Sequence, residues 1–131
     1  EAKVCREGDD LSVITFGACV HWALEAADAL DREGVSMEVV DLRTLRPLDT
    51  ETILASLAKT HRMVIVDEGW KTGGLAGEIS AQMMEQGFDL LDWPVQRVCG
   101  VEVPMPYAKH LEEAALPSSD RVVAAVTEMA F

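Results

Sequence analysis

Apolar and polar positions follow one another along the chain in a regular order of extended runs and helical stretches. Apolar or β-branched extended runs cover residues 4–6, 11–16, 37–42, 63–66 and 95–99, which predicts five strands. Apolar residues recur at helical spacing over about residues 20–30, 50–59, 76–83 and 122–129, as a helix with one buried face requires. Strands joined through helices by short connections predict an α/β fold, a three-layer α/β/α sandwich around a mostly parallel mixed sheet.

Local signals at the ends of these elements add detail to the prediction. Gly8-Asp9 lies between the first two extended runs and predicts a hairpin, hence one antiparallel edge strand. The expected helix caps are Asp49 and Ser118 or Ser119 at the starts, and Gly34 and Gly87 at the ends. No linker or repeat divides the chain, so residues 1–131 are predicted to form one domain.

Charge and cysteine content narrow the classes of function. Acidic residues outnumber lysine and arginine by 23 to 11, for a net charge of −12. Such a surface repels phosphates, which argues against nucleic acid or an anionic membrane as a partner and leaves room for a basic protein. The three cysteines are odd in number and far apart in the sequence, which argues against a disulfide framework and against a zinc site. Such cysteines are typical of a protein in a reducing compartment. The chain begins at Glu1, and we expect it to be part of a longer protein.

A glycine-rich segment at residues 69–78 is the most conspicuous motif. Its candidate loop or interface residues are Asp67, Glu68, Gly73, Gly74, Gly77 and Glu78. A glycine-rich turn before a helix can bind phosphate through backbone N–H groups. The spacing matches neither a dinucleotide-binding motif nor a P-loop, and the three carboxylates would repel phosphate. We therefore interpret the glycines as allowing close packing of helix, sheet or a neighbouring subunit; the alternative is a free-standing ligand-binding module that uses this loop.

The remaining polar residues do not assemble an active site. Asp41, Arg43 and Arg46 follow one predicted strand, where an ion-pair network that shapes a loop is the simpler interpretation. The three histidines are isolated from one another, and no cysteine has an activating partner nearby in the sequence. The sequence therefore predicts no catalytic, cofactor-binding or metal-ligating residue in this chain.

Four ordered segments resemble one family. They are residues 40–49, 66–69, the glycines with Glu78 at 73–78, and Val-Pro-Met-Pro-Tyr-Ala at 103–108, followed by 111–112 and 116–117. Together they look like the C-terminal third of the β subunit of 2-oxoacid dehydrogenase E1 components, the transketolase C-terminal domain. The resemblance extends over nearly the whole chain, and the segment at 103–108 is most similar to pyruvate dehydrogenase.

The resemblance implies a function that belongs to an assembly. Enzymes of this family decarboxylate a 2-oxoacid on thiamin diphosphate with Mg²⁺ and transfer the acyl group to a lipoyl-bearing acyltransferase. The cofactors are held by the α subunit and the N-terminal half of the β subunit, so this chain is expected to bind none and to be inactive alone. The implied location is a bacterial cytoplasm or, as second choice, a mitochondrial matrix.

The resemblance also implies protein partners. They are the E1 α subunit or N-terminal thiamin-binding domains, a second β subunit, and the subunit-binding domain of a dihydrolipoyl acyltransferase. That last domain is typically basic, so we expect it to dock on acidic residues of this chain. The docking candidates are Asp89 and Asp92, in the turn before the last predicted strand, together with Phe131 at the end of the chain.

Overall fold

The computed structural model of the chain describes residues 1–43, 47–70, 74–100 and 118–129, with only the backbone for residues 69, 70 and 100. Its strands are β1 (Lys3–Arg6), β2 (Leu11–Thr15), β3 (Met37–Asp41), β4 (Met63–Trp70) and β5 (Gln96–Gly100). Its helices are α1 (Cys19–Asp31), α2 (Thr50–Thr60), α3 (Leu75–Gln86) and α4 (Ser119–Thr127), with a short 3₁₀ helix at Phe88–Leu90. The 3₁₀ helix was not predicted from the sequence.

The five described strands form one mixed sheet in the order β1-β3-β2-β4-β5. β2, β3, β4 and β5 all run in the same direction, whereas β1 pairs antiparallel with β3. The predicted mostly parallel sheet with one antiparallel edge strand is therefore confirmed. The layers are confirmed as well, because α1 and α4 pack on one face and α2 and α3 on the other.

The predicted hairpin between β1 and β2 is wrong, because β1 and β2 lie on opposite sides of β3. The connecting residues cross the start of β3 instead of turning back. There the N–H of Asp10 donates to the carbonyl of Ser36 at 2.8 Å, and the Asp10 carboxylate accepts from the N–H of Ser36 at 2.7 Å. Gly8 lies so close that a Cβ on it would be 2.4 Å from the carbonyl carbon of Met37. Gly8 therefore allows the connection between β1 and β2 to pass close to the backbone of β3, and it does not form a hairpin turn.

The predicted helix ends agree with the caps that the structure contains. Asp49 accepts a hydrogen bond from the N–H of Thr52 at 3.1 Å, and Ser118 accepts one from the N–H of Arg121 at 3.3 Å. Gly34 follows α1 with φ +85°, which favours glycine. These local signals therefore mark the starts of α2 and α4 and the end of α1.

Candidate functional site

The carboxyl ends of the parallel strands carry the glycine-rich segment that the sequence singled out. Asp67 ends the apolar run of β4 and is 4% exposed. Its carboxylate accepts a hydrogen bond from the N–H of Ala76 at 3.2 Å, in the first turn of α3. A helix N-terminus attracts anions, and here the chain supplies its own. Glu68 is exposed beside it, and Gly73 lies outside the described residues.

Gly74 and Gly77 of this segment have different surroundings. Gly74 precedes α3 with φ −82° and ψ 165°, an extended conformation open to any residue. A Cβ on Gly77 would lie 3.2 Å from Nη1 of Arg97, the flexible end of a long side chain. Glu78 is exposed and accepts from the side-chain amide of Gln82 at 3.1 Å. The segment therefore approaches the sheet closely at Gly77, where the neighbouring group is the guanidinium of Arg97 on β5.

The cysteine next to this edge is held in its thiol form. Cys19 is buried at the start of α1. Burial first, and then the charges of Glu68 and Asp67, raise the pKa of its thiol to about 11. The thiolate is the reactive form, so burial and the raised pKa both disfavour a nucleophilic role for Cys19 at neutral pH.

The other sequence candidates at the strand ends have local partners. The Asp41 carboxylate accepts from the N–H of Arg43 at 3.0 Å, and Arg43 has φ +58°, so this pair shapes a turn. Arg46 lies outside the described residues. His21 is exposed and pairs with Glu25 at 2.7 Å along one face of α1. Among the described residues, no three histidine, cysteine or acidic side chains form a group that could hold a metal ion.

A buried polar cluster at the amino end of the sheet was missed from the sequence. Glu38 on β3 is 2% exposed and accepts from the Ser56 hydroxyl at 2.6 Å and from the N–H of Gly8 at 3.2 Å. Lys59 also donates to this carboxylate, and that hydrogen bond raises the pKa of Lys59. The cluster continues through Ser12, whose hydroxyl shares hydrogen bonds with Ser56 and Thr60. Its one sequence signal is an acidic residue, Glu38, between the apolar residues Met37 and Val39.

The predicted docking residues Asp89 and Asp92 also lie at the amino end of the sheet, but they are on the surface of the domain. We use the term acidic surface for Glu85, Asp89 and Asp92, all of which are exposed. Residues 75–96 contain four acidic residues and no lysine or arginine. In the part of the chain that the structure describes, the carboxylates of Asp89 and Asp92 have no hydrogen-bond or ion-pair partner. Phe131, the third docking candidate, lies outside the described residues.

His61 fixes the backbone beneath the acidic surface. It ends α2 in the left-handed region, with φ +61°. Its Nδ1 lies 2.8 Å from the carbonyl oxygen of Leu90, which can only accept, so Nδ1 carries the proton. Its own carbonyl accepts from the N–H of Asp92 at 2.8 Å. One histidine therefore holds the turn at two points, on either side of Leu91.

An apolar groove of about 400 Å³ opens beside the acidic surface, between the end of α3 and the segment that leads into β5. Its lining includes Met84, Phe88, Leu91, Trp93, Val95 and Asp92. Phe88 is 63% exposed and Met84 is 44% exposed. The groove was not predicted from the sequence, because the helical spacing of apolar residues in α3 indicates only its buried face.

Comparison with known proteins agrees with the fold. Residues 1–122 match the family described as transketolase, C-terminal domain. A solved structure described as a split gene transketolase, inactive beta4 tetramer, has a TM-score of 0.83 and 30% sequence identity. That similarity covers 98% of this chain and 40% of the other chain.

Curated relatives agree with the resemblance found in the sequence. The mitochondrial pyruvate dehydrogenase E1 component subunit beta of Dictyostelium discoideum is 51% identical over 123 residues, 94% of this chain and 35% of the relative. The pyruvate dehydrogenase E1 component subunit beta of Rickettsia felis is 44% identical over 131 residues, 100% of this chain and 40% of the relative. The chain thus spans between 35% and 40% of the length of these two relatives.

Proposed function

Because the chain belongs to the transketolase C-terminal domain family, we propose that it is the C-terminal assembly domain of a pyruvate dehydrogenase E1 β subunit. The enzyme as a whole would decarboxylate pyruvate or a related 2-oxoacid oxidatively and pass the acyl group to a lipoyl-bearing acyltransferase.

Relatives named pyruvate dehydrogenase E1 component subunit beta occur in a bacterium and in mitochondria, so we propose a bacterial cytoplasm or a mitochondrial matrix as the location of this protein. No helix among the described residues is long and apolar enough to cross a membrane.

We propose that other parts of the enzyme bind the cofactors. Thiamin diphosphate would supply the carbanion chemistry there, with Mg²⁺ bound to its diphosphate. The described residues of this chain do not fit that group, because the N-terminus of α3 already holds the carboxylate of Asp67. A diphosphate placed there would face Asp67 and Glu68 at close range, which is repulsive. For the same reason we do not propose the alternative, a free-standing ligand-binding module built on residues 69–78.

We propose that this domain forms subunit interfaces. Its partners would be the E1 α subunit, or N-terminal thiamin-binding domains, and a second β subunit. The name of the solved relative, a beta4 tetramer, supports contacts between β chains.

We also propose that the acidic surface docks the subunit-binding domain of a dihydrolipoyl acyltransferase, with Phe131 nearby. The observation that carries this step is the pair of exposed carboxylates at Asp89 and Asp92, which lack partners in the described part of the chain. A carboxylate without an internal partner remains available to a basic protein, and opposite charges raise the rate of encounter.

The test measures binding kinetics of the subunit-binding domain on the assembled E1 enzyme at two salt concentrations. Asp92→Lys should lower the association rate by about two- to tenfold at low salt and change dissociation less, because a rim charge acts mainly on encounter. The matched control is Glu33→Lys, the same charge change after α1, which packs on the opposite face of the sheet. Equal rates for both variants, or an association rate independent of salt, would place the docking site elsewhere.

A further inference from the structure

We infer that the apolar groove beside the acidic surface receives an apolar side chain of a basic protein partner. Phe88 and Met84 then contact that side chain, and the acidic surface forms the charged rim around it. The inference rests on the proposed function only for the choice of the protein probe.

The exposure of the groove residues is the first observation. Three large hydrophobic side chains are notably exposed in the described part of the chain: Val4, Met84 and Phe88. Two of the three line this one groove, and Trp93 lies in the same lining. A concentrated apolar patch with a polar rim is typical of a protein-binding site, whereas single exposed apolar residues are not. Aromatic side chains serve as binding anchors, and methionine adapts to the shape it meets.

Charge identifies the kind of partner. Residues 80–95, which include the whole lining of the groove, contain three acidic residues and no lysine or arginine, and the chain as a whole has a net charge of −12. A second copy of the same patch would bring like charges together around a desolvated centre, which is unfavourable. A basic partner instead gains attraction at the rim while its apolar side chain fills the groove. We therefore assign the groove to a basic partner rather than to self-association.

The groove is also held in shape before a partner arrives. Leu91 and Asp92 line it, and His61 bonds to the residues on both sides of Leu91. A preformed wall lowers the entropy lost on binding, so a small contact area can still contribute strongly.

The first experiment uses the assembled E1 enzyme and the isolated subunit-binding domain of a dihydrolipoyl acyltransferase. Phe88→Ala should raise the dissociation rate about tenfold, the loss typical of an anchor residue, and Met84→Ala should raise it less. The salt dependence of the association rate should stay as in the wild type, in contrast to Asp92→Lys. Val4→Ala is the matched control, because Val4 is 40% exposed and lies on β1, at the opposite edge of the described sheet.

Failure of the inference and failure of the proposed function give different results. If the domain binds the wild type and Asp92→Lys slows association while Phe88→Ala changes nothing, the apolar anchor is wrong and the docking proposal stands. If Phe88→Ala instead splits the enzyme into smaller species by analytical ultracentrifugation, the groove is a subunit contact and the inference is overturned.

A second probe tests the groove without the acyltransferase. Two synthetic peptides are compared, Lys-Lys-Leu-Phe-Lys-Lys and Lys-Lys-Ser-Ser-Lys-Lys, with binding followed by NMR shifts of the Trp93 indole. The apolar peptide should bind several-fold more tightly, and Phe88→Ala should abolish the difference. Equal binding of the two peptides would overturn the inference even if the subunit-binding domain itself does not bind.

Discussion

At the amino end of the sheet, the carboxylate of Glu38 and those of Asp89 and Asp92 have opposite environments. Glu38 is buried at 2% exposure and bonds to Ser56, Lys59 and the N–H of Gly8. Asp89 and Asp92 are exposed and have no internal partner in the described structure. A buried carboxylate with all its hydrogen bonds made has nothing left to offer a ligand, whereas an exposed and unpaired one does. Burial and pairing, not acidity alone, therefore separate structural acids from candidate docking acids.

The largest effect on stability is expected at Glu38. Glu38→Ala removes the acceptor for three donors and leaves the Ser56 hydroxyl buried without it, so it should destabilise the fold by about 2–4 kcal/mol. The exposure of Lys59 limits the loss, because its ammonium can turn to water. Urea unfolding measures the change, with Glu33→Ala as an exposed control. A shift no larger than that of the control would contradict a structural role for the buried cluster.

Gly8→Ala tests the same cluster through its backbone. The new methyl would lie 2.4 Å from the carbonyl carbon of Met37 and 2.5 Å from the nitrogen of Glu38, so β1 or β3 must move. We expect a loss of about 1–3 kcal/mol in the free energy of unfolding. Gly77→Ala is the comparison variant, because among the described residues its methyl would meet a side-chain atom, Nη1 of Arg97, and no backbone atom, and alanine favours a helix. Equal melting temperatures for the two variants would mean that the crossing tolerates a side chain.

Sequence periodicity predicted the layers and most element boundaries, because each strand and helix has its own local apolar pattern. It failed where partners are distant in the sequence. The pairing of β1 depends on Gly8 packing against Met37, and the Glu38 cluster joins residues from β2, β3 and α2. The groove was missed for a similar reason, because exposure of Phe88 depends on where the 3₁₀ helix places it. The docking acids came from a family resemblance rather than from periodicity.

A smaller effect is expected at His61, which supports the acidic surface from below. His61→Gly keeps the left-handed backbone without strain but loses the Nδ1 donor, so it should cost about 1 kcal/mol. It should also raise the dissociation rate of a docked partner several-fold. His61→Asn should restore both, since asparagine tolerates this backbone and its amide nitrogen can take the place of Nδ1. Amide hydrogen exchange at Asp92 measures directly how firmly His61 holds this turn. Identical exchange in the wild type, His61→Gly and His61→Asn would rule out that role.

The smallest effect on stability is expected at the acidic surface itself, which completes the contrast with Glu38. Replacing both Asp89 and Asp92 by asparagine removes no side-chain hydrogen bond or ion pair in the described structure. The free energy of unfolding should therefore change by no more than about 0.5 kcal/mol. A slight gain in stability is the expected direction, because the change relieves repulsion in a chain with a net charge of −12.

The same double variant should slow the association of a basic partner and reduce the salt dependence of the association rate, since the steering charges are gone. Thermal unfolding and binding kinetics on one preparation test both halves together. A large loss of stability would make these carboxylates structural like Glu38, and an unchanged association rate would remove them from the docking surface.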